Sequence, residues 1–557
     1  MVPPRSIAAL LATNTPPTAL DIPFIQSQVD ELTLKISALL DAARKLEEQR
    51  TKYRAVLSAV RRVPAEILGE IFSMLLPLDL APADRTAVMR LGLVCRDWRI
   101  ALLGTLSVWS GLVLDACSCS RYGPHDVAVA HNDNYDGMIQ WFSNARGSPK
   151  RFSYLVSSQL CYAHREGGNA LYRCEADHPT VTRLLKQGPQ LDQFTLQVAG
   201  PDCFRRWLHC VEGSPNTPDP ASSNANTPWQ SLRSFELLFI SSEFHIWTNP
   251  RDPESSIFAR LPPITSFRLD LPARISAFED EDDPSVRHLN IPSSSLERLT
   301  SLHLKWDWGV RLLDLLAQCA NLELCTIDLD SSTVVLEADA DPEAAKWSAS
   351  LVSLPLLREF RLHRGCIELL DYLEMPALRS MELELAVGEL RTGHVTICIT
   401  RLVERCGLST TLQYLRVCGL RPDVVTTNVA FVYLPILSAL QVLELDSPRI
   451  EVYQFGLPDL HQARFREYHM LPVLRHLRLL NLIRSEWTLS SEILYLMKRI
   501  RYQSCSITVS YSDGPAFSEE QLQSLVPAPN SQLLSVHVVP SFDSTDKGRK
   551  SKPVRRA

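Results

Sequence analysis

One pattern constrains this chain more than any other. Beyond residue 150 the order apolar, any, any, apolar, any, apolar keeps returning. It runs through Leu191-Phe194-Leu196, Leu232-Phe235-Leu237, Ile264-Phe267-Leu269, Leu299-Leu302-Leu304 and Leu324-Ile327-Leu329. It continues with Leu357-Phe360-Leu362, Leu378-Met381-Leu383, Leu412-Leu415-Val417, Leu440-Leu443-Leu445 and Leu474-Leu477-Leu479. Side chains alternate along a strand, so the last two apolar residues of each hexad share one face and the residue between them takes the other. A unit this short cannot bury its apolar face alone and must stack on neighbours of its own kind.

The spacing of the hexads is irregular, from 21 residues (Leu357 to Leu378) to 41 (Leu191 to Leu232). Such hexads are the strands of leucine-rich repeats, here at periods longer than usual. Leu354-Pro355, Met375-Pro376, Leu434-Pro435 and Leu471-Pro472 mark entries into strands, where a residue lacking an N–H is tolerated. The apolar stretches Val310 to Cys319 and Ile397 to Cys406 read as convex helices. The expected fold class is therefore α/β: an irregular leucine-rich-repeat horseshoe of parallel strands over residues 116–510. A doubly wound α/β sheet is the alternative. Residues 117–178 fit the repeat poorly, and the Gly213–Pro228 stretch and the acidic run Glu279–Asp283 read as loops. Residues 1–22 and 511–557 read as largely disordered, apart from a weak strand at Leu533–Val538.

The middle residue of each hexad should face the concave surface, which makes these residues the candidate target-binding set. They are Thr195, Glu236, Arg268, His303, Asp328, Arg361, Glu382, Arg416, Glu444 and Arg478, with Arg268 onward favoured. From Asp328 the sign alternates at every repeat, so neighbouring strands can pair their charges. The surface lacks the single-sign field of a nucleic-acid binder. The whole chain agrees: 57 Lys and Arg against 63 Asp and Glu leave a net charge of −6, with no general pull toward nucleic acid or an anionic membrane.

Residues 23–62 carry a second periodicity. Ile25, Val29, Leu32, Ile36, Leu39, Ala43, Leu46, Arg50, Tyr53, Leu57 and Val60 follow one another at alternating steps of four and three. This is the seam of a coiled coil between Pro23 and Pro64. It can pack on its own chain or pair between chains as a homodimer through residues 24–62, with Ala43 and Arg50 as its weak points.

Residues 63–115 read as three short helices. Pro64 suits a first helical turn and Glu66 a helix N-terminus. Ile67, Leu68, Ile71, Phe72 and Leu75 then form a broad apolar face. A second helix should carry Val88, Leu91, Val94, Cys95 and Trp98, and a third Leu102, Leu106 and Trp109. So small a unit leaves apolar surface uncovered, which suits the docking of another helical protein. Val63-Pro64, Glu66-Ile67-Leu68, Ile71-Phe72, Val94-Cys95-Arg96-Asp97-Trp98-Arg99 and Leu106-x-x-Trp109 closely resemble the F-box. With the preceding heptad helix, the segment over residues 25–115 looks like the large F-box family of mushroom-forming fungi. Val63 in place of leucine and a longer inter-helix loop are the departures. The resemblance implies docking to the Skp-type adaptor of a cullin–RING ubiquitin ligase through Val63, Pro64, Ile67, Leu68, Ile71, Phe72, Leu75, Val94, Cys95 and Trp98.

Signs of catalysis are few. Glycine is scarce, 21 against 37 prolines, and no phosphate-binding loop, nucleophile elbow or zinc-protease motif occurs. Cys117, Cys119, His125, His131, Cys161, His164, Cys174 and His178 crowd together, but their spacing suits paired zinc ligands poorly. No metal or cofactor is expected. The 14 scattered cysteines suit reduced thiols. No apolar run is long enough for a membrane span, so the expected place is the cytoplasm or nucleus, and the basic tail (Lys547, Arg549, Lys550, Lys552, Arg555, Arg556) reads as either a disordered solubilising end or a nuclear-import signal. The expected function is non-catalytic: a substrate receptor holding a protein target for ubiquitin-dependent degradation. The alternatives are a repeat scaffold outside ubiquitin transfer and a zinc-dependent protein centred on residues 117–178.

Overall fold

Strand follows strand in chain order through most of the molecule, and every pairing is parallel. The strands are β1 (Gly111–Asp115), β2 (Arg151–Leu155), β3 (Gln193–Val198), β4 (Ser234–Phe239), β5 (Ser266–Asp270), β6 (Ser301–Lys305), β7 (Leu324–Asp328), β8 (Val352–Ser353) and β9 (Glu359–Gly365). Then come β10 (Leu373–Glu374), β11 (Ser380–Leu385), β12 (Tyr414–Cys418), β13 (Val442–Asp446), β14 (His476–Leu482), β15 (Cys505–Tyr511) and β16 (Leu534–Val538). Fourteen of them form one sheet, while β8 and β10 pair separately. The chain is thus a mixed α/β protein with a long N-terminal helix and a large parallel sheet. This computed structural model describes residues 7–12, 16–57, 62–115, 135–156, 174–212, 227–240, 256–271, 289–305, 311–329, 350–365, 367–385, 394–418, 434–446, 471, 473–482, 504–511, 518–524 and 534–539. Val60, the sulfur and imidazole cluster from Cys117 to His164, the run Glu279–Asp283, most of the Gly213–Pro228 loop and the basic tail lie outside them.

Register explains the sheet. Phe152, Phe194, Phe235, Phe267 and Leu302 are successive partners, and the row continues through Cys325, Phe360, Met381, Leu415, Leu443 and Leu477. All are buried. At the N-terminal end the row is a phenylalanine stack, with ring centroids 5.7 Å (Phe152–Phe194), 5.8 Å (Phe194–Phe235) and 6.1 Å (Phe235–Phe267) apart and planes within 17°. Burying a side chain of this size contributes roughly 1.5–3 kcal/mol, and here it also sets the register.

The spacing that varies in sequence is constant in space. The carbonyl of the residue before a strand accepts two N–H groups from the next repeat: Arg358 O from Arg379 and Ser380 at 2.9 and 3.0 Å, Arg379 O from Gln413 and Tyr414 at 2.8 and 3.0 Å, and Gln413 O from Gln441 and Val442 at 2.8 and 3.1 Å. The same fork recurs at Lys150, Asp192, Arg233, Thr265, Thr300, Glu323 and Gln441. Insertions between strands therefore leave each strand entry alike, because the backbone donors and acceptors there are matched whatever the loop length.

One hexad is corrected. In β7 the apolar residues that join the core row are Cys325 and Ile327, partners of Leu302 and Leu304, and Leu324 is 41% exposed. The hexad is therefore Leu322-Cys325-Ile327, and its middle residue is Thr326, not Asp328. The sheet also outruns the limits 116–510. β1 lies within the segment read as helical, β2 within the stretch that fitted poorly, and β16 within the segment read as tail. Helices Pro179–Gln187, Pro201–Glu212, Arg311–Leu316 and His394–Cys406 lie between strands. The second of these buries Phe204, Trp207, Leu208 and Val211. The last is followed by Gly407, whose φ of 65° is a left-handed geometry that favours glycine.

The chain divides into two compact units, residues 1–76 with 87–105, and residues 77–86 with 106–557. The first holds the helix Asp21–Val56, starting two residues before Pro23, and helices Ala65–Leu75 and Arg96–Gly104. A short helix over Ile7–Leu11 lies in the segment read as disordered. Asp21 accepts hydrogen bonds from the Thr18 N–H and hydroxyl, at 3.0 and 2.5 Å, which fixes where the long helix begins. Helix Pro82–Gly92 ends before Val94. Cys95 is extended, so Trp98 belongs to the next helix and Leu106–Trp109 is a separate 3-10 turn. Gly69 lets the first and last of the three helices approach closely, since a Cβ there would meet Thr105 Oγ1 at 2.6 Å.

Candidate functional site

Two surfaces hold the residues singled out in the sequence. In the helical unit, helix Ala65–Leu75 sorts its apolar residues by face. Leu68 and Phe72 are buried, Phe72 at 1% exposure with its ring 5.3 Å from that of Trp98. Ile67, Ile71 and Leu75 follow at intervals of four and are exposed, Ile67 at 51% and Leu75 at 73%; residues so spaced form one stripe. Pro64, Val94 and Cys95 are exposed as well, while Val63 and Trp98 are half-buried. Leu68 and Phe72 therefore belong to the core of the helical unit and not to this exposed stripe, unlike the other apolar residues grouped with them in the sequence. Met74 and Leu93, exposed and apolar, were missed; Met74 falls one residue short of the four-residue spacing.

On the sheet, the middle residues of the hexads do line up. Arg361, Glu382, Arg416, Glu444 and Arg478 are consecutive register partners. Their charges alternate and meet: Arg361 to Glu382 at 3.7 Å, Glu382 to Arg416 at 4.0 Å, Arg416 to Glu444 at 3.0 Å and Glu444 to Arg478 at 3.1 Å. Glu444 is buried between its two arginines. A carboxylate taken from water in this way needs such partners, because desolvating it alone costs several kcal/mol. Glu236, Arg268 and His303 are likewise successive partners, with Thr326 next in the row.

Asp328 lies two residues further along, in a second polar row on the same face that sequence reading missed. Its members Asp270, Lys305, Asp328, His363 and Glu384 are also register partners. Asp270 accepts both ends of the Arg268 guanidinium, at 3.0 and 2.6 Å. Asp328 is held by Arg364 at 2.7 Å, and His363 Nδ1 meets Glu384 at 2.8 Å. The signal was available, since side chains two apart on a strand share a face, but this row keeps no constant residue type. His303 sits where the rows meet, 3.6 Å from Asp270. Burial, with Arg268 nearby, pushes its pKa down to about 4, so it is neutral at ordinary pH.

Burial pushes the thiols of Cys319, Cys398 and Cys418 up to about 12 and that of Cys505 up to about 11, far from the thiolate a nucleophile or metal ligand requires. Cys174 and His178 are both buried, and the rest of that cluster lies outside the described residues. Among the described residues no three His, Cys, Asp or Glu side chains are grouped to hold a metal ion. No described helix is long and apolar enough to cross a membrane. No protein-family model matches the chain, and no curated protein matches it.

Proposed function

We propose that the chain is a substrate receptor of a Skp–cullin–F-box ubiquitin ligase. Residues 63–105 act as the F-box that docks the adaptor. The sheet and its intervening helices are an irregular leucine-rich-repeat horseshoe whose charged strand face holds a protein target. The observation that carries the reading is the apolar stripe Ile67, Ile71 and Leu75, left in water on a unit whose core is already filled by Leu68, Phe72 and Leu102. A stripe of this kind suits helix-in-groove docking. The two polar rows, mixed in sign and largely paired, suit a protein surface with its own pattern of charges, which gives selectivity more than raw affinity. The receptor adds no chemistry of its own and raises the target's concentration beside the ubiquitin-charged enzyme.

The test is capture of a purified Skp-type adaptor by the full chain and by a Pro64→Ala, Ile67→Asp variant. Binding energy concentrates in a few apolar anchors, roughly 2 kcal/mol or more each. The variant is expected to lose adaptor capture while its sheet melts as in the wild type. Capture at the wild-type level by a folded variant overturns the reading.

A further inference from the structure

The heptad seam of helix Asp21–Val56 is uncovered. Every residue from Val29 to Arg54 is exposed, including Leu32, Leu39 and Leu46 at 56–70%. At about 1.5 Å per residue a helix of 36 residues is about 54 Å long, and a lone helix in water is marginal. Beyond the half-buried Ile25, nothing among the described residues of this chain buries the seam.

We propose that this helix pairs in parallel and in register with a second copy of the chain. The residue types choose that occupant. In heptad lettering the a positions are Ile22, Val29, Ile36, Ala43 and Arg50 and the d positions Ile25, Leu32, Leu39, Leu46 and Tyr53, so most a residues are β-branched and most d residues are leucine. β-branched residues at a with leucine at d favour two parallel strands over three or four. The flanking positions raise no objection. In a parallel pair each g residue meets the e residue five places later in the other copy. These contacts are Gln28 with Thr33, Lys35 with Leu40, Ala42 with Glu47 and Gln49 with Arg54, so none sets like charges together.

Arg50 is the charged residue in the seam. It is already met by Glu47 of its own chain at 3.2 Å, which offsets the approach of two arginines at an a layer. A lone polar residue at a lowers stability and helps fix register, because a slip of one heptad would set Arg50 against Ala43 or Leu57. Parallel pairing also brings both copies out of the pair at the same end, eight residues before Pro64.

The full chain tests this without any adaptor. Light scattering at micromolar concentration is expected to give twice the 62.7 kDa chain mass. Leu32→Lys with Leu39→Lys should halve it and leave the melting of the sheet unchanged. Arg50→Leu should lower the concentration at which dimers dissociate by at least tenfold. Val29→Cys should form a reducible cross-link to its own copy above the wild-type background. A monomeric wild type, a trimer or tetramer, or a dimer that survives the double lysine change overturns the proposal. So does an unshifted Arg50→Leu variant. A cross-link that forms only when Val29→Cys and Leu46→Cys chains are mixed shows antiparallel pairing, and equally overturns it.

Discussion

The helical unit and the sheet unit use apolar residues in opposite ways. In the sheet, two apolar residues of each strand are buried in rows that run from one repeat to the next, and what faces outward is polar and paired. In the helical unit the long helix and the outer stripe of helix Ala65–Leu75 leave isoleucine and leucine in water. The sheet can bury its residues because each strand has two neighbours of its own kind. Among the described residues the helices have fewer such neighbours, and their remaining apolar surface stays in water. Substitutions at buried and exposed apolar positions should therefore separate cleanly into losses of stability and losses of binding.

The largest loss is expected in the phenylalanine row. Phe235 is fully buried and stacks on both Phe194 and Phe267. Phe235→Ala should cost about 3–5 kcal/mol, read as a shift in the denaturant midpoint of the sheet. A shift as small as that of a surface change would show that the row is not a continuous core.

Next comes Arg416→Glu, which removes both its ion pairs and places three acids on consecutive strands beside buried Glu444. Breaking a buried pair costs roughly 3–5 kcal/mol. Since Glu444 keeps Arg478 at 3.1 Å, about 2–3 kcal/mol is expected. Reversing Arg361, Glu382, Arg416, Glu444 and Arg478 together restores alternation and should recover most of the stability while inverting the pattern offered to a target. Melting unchanged by the single reversal would mean the ladder contributes nothing.

A smaller effect depends on pH. His303 titrates at about 4 in the folded chain, below its ordinary 6.5, through burial and Arg268. Between those values the unfolded chain binds a proton that the folded chain does not, so stability falls as pH drops from 6.5 toward 4 and is unaffected above 6.5. His303→Gln should flatten this part of the stability profile by about 2 kcal/mol relative to the wild type. A variant with the wild-type slope would place the acid sensitivity in other groups.

Much of this comparison was legible in the sequence. Nine of the ten hexads lie in the register read from them, because large apolar residues, mostly leucine or phenylalanine, occupied their key positions. The exception, β7, offered Leu324 and Leu329 as well as Leu322 and Cys325, and cysteine reads as a weaker core residue than leucine. Strands β2 and β15, Arg-Phe-Ser-Tyr-Leu and Cys-Ser-Ile-Thr-Val-Ser-Tyr, were missed since neither carries leucine at the expected places. On helix Ala65–Leu75, helical spacing marked the apolar residues but not which of them turn inward. Leu68 and Ile67 are adjacent and equally apolar, and only packing against Trp98 and Thr105 decides which of the two faces turns inward.

That orientation gives the smallest expected effect on stability and the most direct test. Ile71→Asp alters an exposed residue one turn from Ile67, where surface changes move stability by about 0.5 kcal/mol or less. Thermal melting and adaptor affinity should be measured on the same preparation of the full chain. The account predicts a melting curve within that margin of the wild type and adaptor affinity at least tenfold weaker. A clear loss of stability with adaptor affinity retained would contradict it, because Ile71 would then be holding the unit together rather than facing a partner.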